Sequence, residues 1–325
     1  MKRYLYYIIM CTCVVLVVSC VSETRKDKVK GKVQSAPFEL LVVANKDWLK
    51  TEAGQKLVEV VEAPISGLPQ REGNFRVTYI NPEAFKTVFK FYANILVVGV
   101  NMKYEEPKMT LERDLYARPQ VVEGLYAPSD QAFVRLLEEH RRNILKPFNE
   151  NEFARERRLL EKNYNGAVLA QVRKQFGVSI KVPQDVDDMK VGENFLWASS
   201  SKRDFQQNVC VYTLPLSESL SPEEVRDSVM KVNIPGERED QWMETDRRTV
   251  MVDDITRSDL IVIRGLWDMK NDAMGGPFVS YFYADTVRNR FLVVEGFVFA
   301  PDKKKRPVMR QLEAALQTLT FDSGK

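Results

Sequence analysis

Residues 150–176 read ENEFARERRLLEKNYNGAVLAQVRKQF, and how they are read decides whether the chain is one body or two. Leu160, Tyr164, Val168, Val172 and Phe176 recur at every fourth position, the period of one face of an α-helix. Asn165-Gly166 interrupts the run; glycine inside a helix costs ~1 kcal/mol against alanine. The stretch predicts one long or kinked helix over 147–177, roughly 40 Å long, joining two lobes. Glu156, Arg157 and Arg158 crowd its first half and read as a solvated face.

Upstream, residues 38–146 predict an N-terminal α+β lobe. FELLVVA (Phe38–Ala44) reads as a strand and Asp47–Val61 as a helix, with Pro64 beyond its end. Gly67–Gly73 is a loop. Phe75–Ile80 is a second strand, Pro82–Val88 a short helix with proline in its first turn, and Tyr92–Val100 a buried strand. Gln120–Tyr126 follows as a strand and Ser129–Leu145 as a helix capped by Ser129. Downstream, residues 178–325 predict a C-terminal lobe. Its strands lie near 177–182, 193–199, 208–215, 249–253, 259–267, 278–284 and 290–300. One helix starts at Ser221-Pro222, and a last one spans Arg306–Leu319. The expected class is α+β: two lobes, each a mostly antiparallel sheet packed by helices, joined by the long helix.

The N-terminus predicts a location. Lys2 and Arg3 precede an apolar run from Tyr4 to Val18, about fifteen residues, too short for a spanning helix of roughly 20 and suited to a secretory signal. Val17-Val18-Ser19-Cys20 resembles a bacterial lipobox. That resemblance implies cleavage after Ser19 and lipidation of Cys20 through its sulfur; residues 1–19 are then a lipoprotein signal peptide. Residues 20–37 hold the lipidated Cys20 and five Lys or Arg among few apolar side chains, so they read as a disordered tether. The expected place is the cell envelope, at the outer membrane facing the periplasm.

Composition narrows the chemistry. Without Lys2 and Arg3, 46 of the 48 basic residues remain against 45 acidic ones, too even a balance for a nucleic-acid partner. Cys11 and Cys13 leave with the signal, so Cys210 has no intramolecular partner and reads as a core residue of the run Asn208–Tyr212. His140, the single histidine, sits at the edge of an apolar helical stripe. One histidine and one free cysteine exclude multi-His and Cys-rich zinc sites, and nothing calls for a cofactor. Hydrolysis by paired carboxylates needs no motif and stays open.

Gly67-Leu68-Pro69-Gln70, Asn94–Val98, Ile234-Pro235-Gly236, Arg264-Gly265-Leu266-Trp267, Met274–Phe278, Glu295–Val298 and Met309–Glu313 together resemble a Bacteroidota lipoprotein family known only as a domain of unknown function. The resemblance spans about Phe38 to Phe321 and implies an envelope lipoprotein, with no catalytic residues to transfer. The second lobe's strand order is also similar to the PsbP and Mog1 type of α/β sandwich, a fold used mostly for binding.

RGLWDMKNDAMGGPF (Arg264–Phe278) is the candidate binding loop. Gly275 and Gly276 admit positive φ or close backbone approach. Trp267 offers a stacking face, with Arg264, Asp268, Asp272 and Trp242 around it. The competing reading is a structural turn whose tryptophan closes the core between the apolar runs LIVIRGLW and PFVSYFYA. Asp268 and Asp272 do not make a calcium loop, because the twelfth position is Val279 rather than glutamate. The expected function is a non-enzymatic binding or scaffolding module held at the membrane, with an envelope protein or a glycan as partner. The alternative is a carboxylate hydrolase working in a groove between the lobes.

Overall fold

ELLVV, residues 39–43, is buried at every position, and the first sheet is built around it. The computed structural model describes residues 30–201, 205–216, 221–253 and 257–322. The first lobe carries β1 (Gly31–Lys32), β2 (Glu39–Val43), α1 (Glu52–Val61), β3 (Arg76–Ile80), β4 (Asn94–Val100), β5 (Lys108–Arg113), β6 (Ala117–Arg118), β7 (Val121–Ala127), α2 (Asp130–His140) and α3 (Lys146–Leu160). Its five-stranded sheet runs β3-β2-β4-β7-β5. β2 pairs in parallel with β3 and β4, and β4 with β7; only β5 runs antiparallel. The expected mostly antiparallel sheet is therefore corrected for this lobe. A strand–crossover–strand connection returns the chain in the same direction, and a strand buried on both faces reads as an unbroken apolar run rather than an alternation.

The helices sit on one face. Leu57 and Val60 of α1, Phe133 and Leu137 of α2, and Phe148 and Phe153 of α3 share a core with Leu40, Val42, Leu96, Val121 and Leu125. Thr51 caps α1 through the Gly54 amide (3.2 Å) and Ser129 caps α2 through that of Ala132 (3.3 Å). The opposite face is covered by two 3-10 turns, Pro82–Ala84 and Thr87–Phe91, whose Phe85 and Phe89 pack with Tyr92 and Tyr116 over Leu41, Val43, Ile95 and Val122.

The long linking helix is a second correction. Helix α3 ends at Leu160, and α4 (Gly166–Phe176) starts afresh with Asn165 as its N-cap. The Asn165 side chain accepts from the Ala167 and Val168 amides (3.0 and 3.1 Å) while its own backbone is extended. An asparagine followed by glycine is a helix start here, not a kink. The fourfold spacing runs through the break, yet α3 packs in the first lobe while Val168, Val172 and Phe176 belong to the second.

The second lobe adds β8 (Val178–Ser179), β9 (Asp188–Val191), β10 (Phe195–Ser199), β11 (Gln206–Pro215), α5 (Pro222–Asn233), β12 (Met243–Val252), β13 (Leu260–Met269), β14 (Gly275–Asp285), β15 (Arg290–Phe299), α6 (Arg306–Leu316) and β16 (Thr320–Phe321). The seven-stranded sheet β12-β13-β14-β15-β11-β10-β9 is antiparallel throughout. Helices cover both faces: α4 and α6 over Val262, Val279, Leu292 and Val294, and α5 over Ile263, Trp267, Phe282 and Val293. Ser221 and Glu224 close a reciprocal capping box at the start of α5. The chain as a whole is α+β.

Part of the expected tether packs on the fold. Residues 20–29 and Cys20 lie outside the described residues, but β1 pairs with β6 and Ser35 Oγ accepts from the Ala93 amide (3.0 Å). Backbone groups, which the apolar pattern cannot report, hold residues 31–35. Helix α6 joins the lobes. Val308, Leu312 and Leu316 lie in the second core and Ala314 in the first, while the Arg310 guanidinium stacks over Phe38 and Phe153 (5.5 and 5.2 Å).

Candidate functional site: the cleft between the lobes

The loop Gly67–Gly73 reaches from the first lobe onto the second. Leu68 packs against the second core and Glu72 accepts from the Lys305 amide at the start of α6 (2.7 Å). Gly67 has φ +77°, and a Cβ there would stand 3.0 Å from Arg264 Cβ. This loop therefore brings the first lobe to Arg264, the one member of the predicted binding set that lies at the junction.

Arg264 projects from β13 away from the Trp267 side of the sheet. It donates to Asp253 through Nε (2.8 and 2.9 Å) and Nη2 (2.6 Å), and Nη2 also reaches Glu313 Oε1 of α6 (2.6 Å). Arg310 donates to the other Glu313 oxygen (3.4 Å) and Tyr281 Oη to the first (3.4 Å). Burial pushes the Glu313 carboxyl up, but the Arg264 and Arg310 charges outweigh it and hold the group below the ordinary glutamate value. The network is a matched set of buried charges that locks β13, α6 and the segment after β12 together.

Asp253 then forms one wall of a cleft of about 810 Å³. The other walls come from the first lobe: the end of α1 at Val60, Asn74, the α2–α3 turn at Arg141, and Lys146, Asn149 and Phe153 of α3. Leu145, Lys146 and Asn149 at the start of α3 line this space beside Arg141. Glu150 is the other carboxylate in the lining, and Arg113 lies 3.9 Å from it. The cleft is thus basic and polar over an apolar base.

Two smaller grooves, of about 320 and 640 Å³, share Glu156 of α3 and Gln311 of α6. Glu156 is 7% exposed, and burial, reinforced by the Glu152 charge, raises its proton affinity. Asp185 and Asp187 line the larger groove.

The remaining predicted residues do not form one site. The stretch 264–278 is a hairpin of β13 and β14, not a loop. Trp267 is 1% exposed and packs edge-on against Phe297 (5.5 Å) in the α5-side core, so the structural reading of its ring holds. Gly276 is required by close approach: a Cβ would fall 2.0 Å from the Val298 carbonyl oxygen and 3.3 Å from the Trp267 indole nitrogen. Gly275 pairs in register with Asp268, whose side chain is exposed. Trp242 lies at the hairpin tip between Lys231 and Lys270, each 4.3 Å from its ring, and Asp272 nearby accepts from Gln241 (2.9 Å). These contacts tie the tip to the segment before β12. Cys210 is fully buried, and burial pushes its thiol well up, which leaves it no nucleophile's role. Sequence reasoning missed Asp253, Glu313, Arg141 and Lys146. The signal available for Glu313 was a pair of charges, Arg310 and Glu313, inside the apolar helix MRQLEAAL.

Among the described residues no cluster of His, Cys, Asp and Glu is placed to hold a metal ion, and no helix is long and apolar enough to cross a membrane. Residues 34–161 match the family model of a domain of unknown function (DUF8532), and residues 166–318 match that of another (DUF4837). The chain is therefore an α+β protein of two lobes, each similar to a family without an assigned activity. No curated protein matches it. Among solved structures, the Saccharomyces cerevisiae Ran-binding protein Mog1p is similar at 12% identity and a TM-score of 0.32, over 45% of this chain and 91% of that one. A mutant of Mog1 matches at 11% identity and the same TM-score, over 45% and 92%. A likeness of that size assigns neither activity nor partner.

Proposed function

We propose that the chain is an envelope lipoprotein, anchored through Cys20 after loss of residues 1–19, whose two lobes form a non-enzymatic binding or scaffolding module. The reading places it at the outer membrane on the periplasmic side, with an envelope protein or a glycan held at the inter-lobe cleft. The lipobox-like Val17–Cys20 supports the anchor. One observation supports binding over catalysis in the cleft: both Asp253 oxygens accept from Arg264. With both oxygens engaged by one guanidinium, Asp253 has little hydrogen-bonding capacity left for a reacting group. Labelled palmitate should enter the wild type and not Cys20→Ala; equal labelling removes the anchor. Arg141→Glu with Lys146→Glu should abolish retention on peptidoglycan fragments or recovery of an envelope partner, with an unchanged melt. Retention of both would remove the cleft from the reading.

A carboxylate hydrolase is the second reading, and Glu156 favours it. A mostly buried acid with raised proton affinity, in a groove with Asp185 and Asp187, has the character of a proton donor. Hydrolysis of glycan strands that disappears in Glu156→Gln, at unchanged stability, would establish it. Hydrolysis absent from the wild type would dismiss it.

A further inference from the structure

We infer that the face of the first lobe opposite its helices rests on an anionic lipid surface, an inference that builds on the lipid-anchor reading. This face has a thin cover. Phe85, Phe89, Tyr92 and Tyr116 are only partly buried over the sheet, and Val88 between them is 69% exposed. Half-buried aromatic rings with lysines around them are the composition of a surface at home between water and headgroups.

The charges on this face agree. Lys30, Lys32 and Arg118 at the β1–β6 edge and Lys86 and Lys90 of the 3-10 turns supply its basic side chains, against Glu83, Asp114 and Glu112, the last paired with Val122 and close to Tyr116. Lys32 and Arg118 stand side by side in register on the parallel pair of β1 and β6. Like charges at paired positions repel, and Asp114, 3.4 Å from Arg118, answers only one of them. The Lys30 ammonium is held by the Asp114 carbonyl oxygen (2.5 Å), while Lys90 lies 5.1 Å over the Tyr116 ring. Bound anions would relieve the excess.

The path of the chain selects a membrane as the occupant. The described chain begins at Lys30, on this same face. Nine residues lie between it and Cys20, ten Cα-to-Cα steps that span at most ~36 Å, so a lipid on Cys20 keeps this face within that distance of the bilayer. The α1–α3 helices, and the cleft they line, are on the other side of the sheet. Docking in this pose leaves the cleft open to solution.

The test uses the chain from Cys20 onward with Cys20→Ser, which carries no lipid. Sedimentation with vesicles of phosphatidylglycerol and phosphatidylcholine should carry it down at low salt, and vesicles of phosphatidylcholine alone should not. Each basic residue near an anionic surface adds roughly fivefold to the partition. Lys32→Glu with Lys86→Glu should therefore lower it at least about tenfold, and Val88→Asp should lower it further, all with unchanged melting temperatures. No preference for anionic vesicles would overturn the inference. So would an unaffected Lys32/Lys86 variant, or binding lost only when Arg25, Lys26 and Lys28 are reversed. Palmitate labelling tests the anchor separately: lost labelling with intact vesicle binding strikes the anchor alone, and the converse strikes the docking face alone.

Discussion

In the second lobe Arg226 and Glu295 are both fully buried and hold each other; in the first lobe Glu123, 2% exposed, holds nothing. Arg226 on α5 donates to Glu295 through Nε (3.1 and 3.0 Å) and Nη2 (2.9 Å), and to Thr245 through Nη1 (2.9 Å). Its guanidinium lies 4.0 Å from the centre of the Phe278 ring, and Ser280 Oγ donates to Glu295 (2.5 Å). Glu123, on β7 between β4 and β5, has no donor for either oxygen, and burial pushes its carboxyl up to about 8. The lobe itself is not the cause. Glu152, fully buried in the first lobe, accepts from the Phe38 amide, Asn94 and Arg155 (2.8, 2.7 and 2.5 Å). The supply of donors decides: a buried carboxyl within reach of several has its oxygens satisfied in place, and Glu123, with none, is kept as a neutral acid.

The hardest blow to this comparison falls on the paired site. Arg226→Met should destabilise by ~3–5 kcal/mol, because it leaves the Glu295 carboxyl buried and short of donors. Adding Glu295→Leu should recover most of that loss, since a buried pair replaced by apolar side chains of similar volume is often neutral. Urea melts of the single and double variants read both numbers. A double variant no better than the single one would show that α5 is held by packing alone.

Trp267→Ala probes the same core without charge. Emptying a buried aromatic site costs ~3–5 kcal/mol, so a denaturant melt should fall by that amount. A loss under about 1 kcal/mol would mean that the indole is dispensable to the core and reopen its role as a stacking platform.

How much of this was legible depends on the distance over which each feature is built. Strand and helix positions follow from local periods, and most were readable, Ser129 and Ser221 as caps among them. The parallel order of the first sheet was also present, in the unbroken apolar runs ELLVV and ANILVVGV, but alternation was the wrong template for them. The break at Asn165 looked like a kink because its flanking apolar residues keep one period across two cores. The site was mostly illegible. Arg264 meets Asp253 eleven residues away and Glu313 forty-nine away, and no local pattern encodes such a meeting. Trp267 and Arg264 are odd and even positions of the strand read over 259–267, so that strand's own alternation already put them on opposite faces, and grouping them in one binding loop overlooked it.

Glu123 sharpens the comparison through pH. Folded, its carboxyl keeps a proton up to about pH 8; unfolded, it releases one near 4.5. Between those values the folded state binds more protons, so this group's contribution to stability falls as pH rises, by as much as ~1.4 kcal/mol per pH unit. Glu123→Leu removes the slope along with two unpaired oxygens. It should stabilise by ~1–3 kcal/mol near pH 7 and flatten the profile between pH 5 and 8. A variant with the wild-type slope would show that the pH response comes from other groups.

The smallest effect lies at the edge of the first lobe, where cover is thinnest. The Val33 amide donates to the Arg118 carbonyl (3.1 Å), the Gln34 amide to that of Phe91 (2.9 Å), and Arg155 Nη2 to that of Ser35 (3.1 Å). Each such bond is worth a net ~0.5–1.5 kcal/mol, and ordering each residue costs ~1–2 kcal/mol, so the strip stabilises the lobe only slightly. A chain beginning at Lys30 keeps all of these contacts and should melt like one beginning at Cys20. A chain beginning at Ala36 loses them, together with the Ser35 hydroxyl that caps the Ala93 amide, and should melt lower by roughly 2–6 °C, the shift expected for about 1–2 kcal/mol in a chain of this size. The second lobe, covered by helices on both faces, has a short marginal pair of its own in β8 and β16. Equal melting of the two truncations would make β1 a passenger and leave Phe85, Phe89, Tyr92 and Tyr116 as the whole cover of that face.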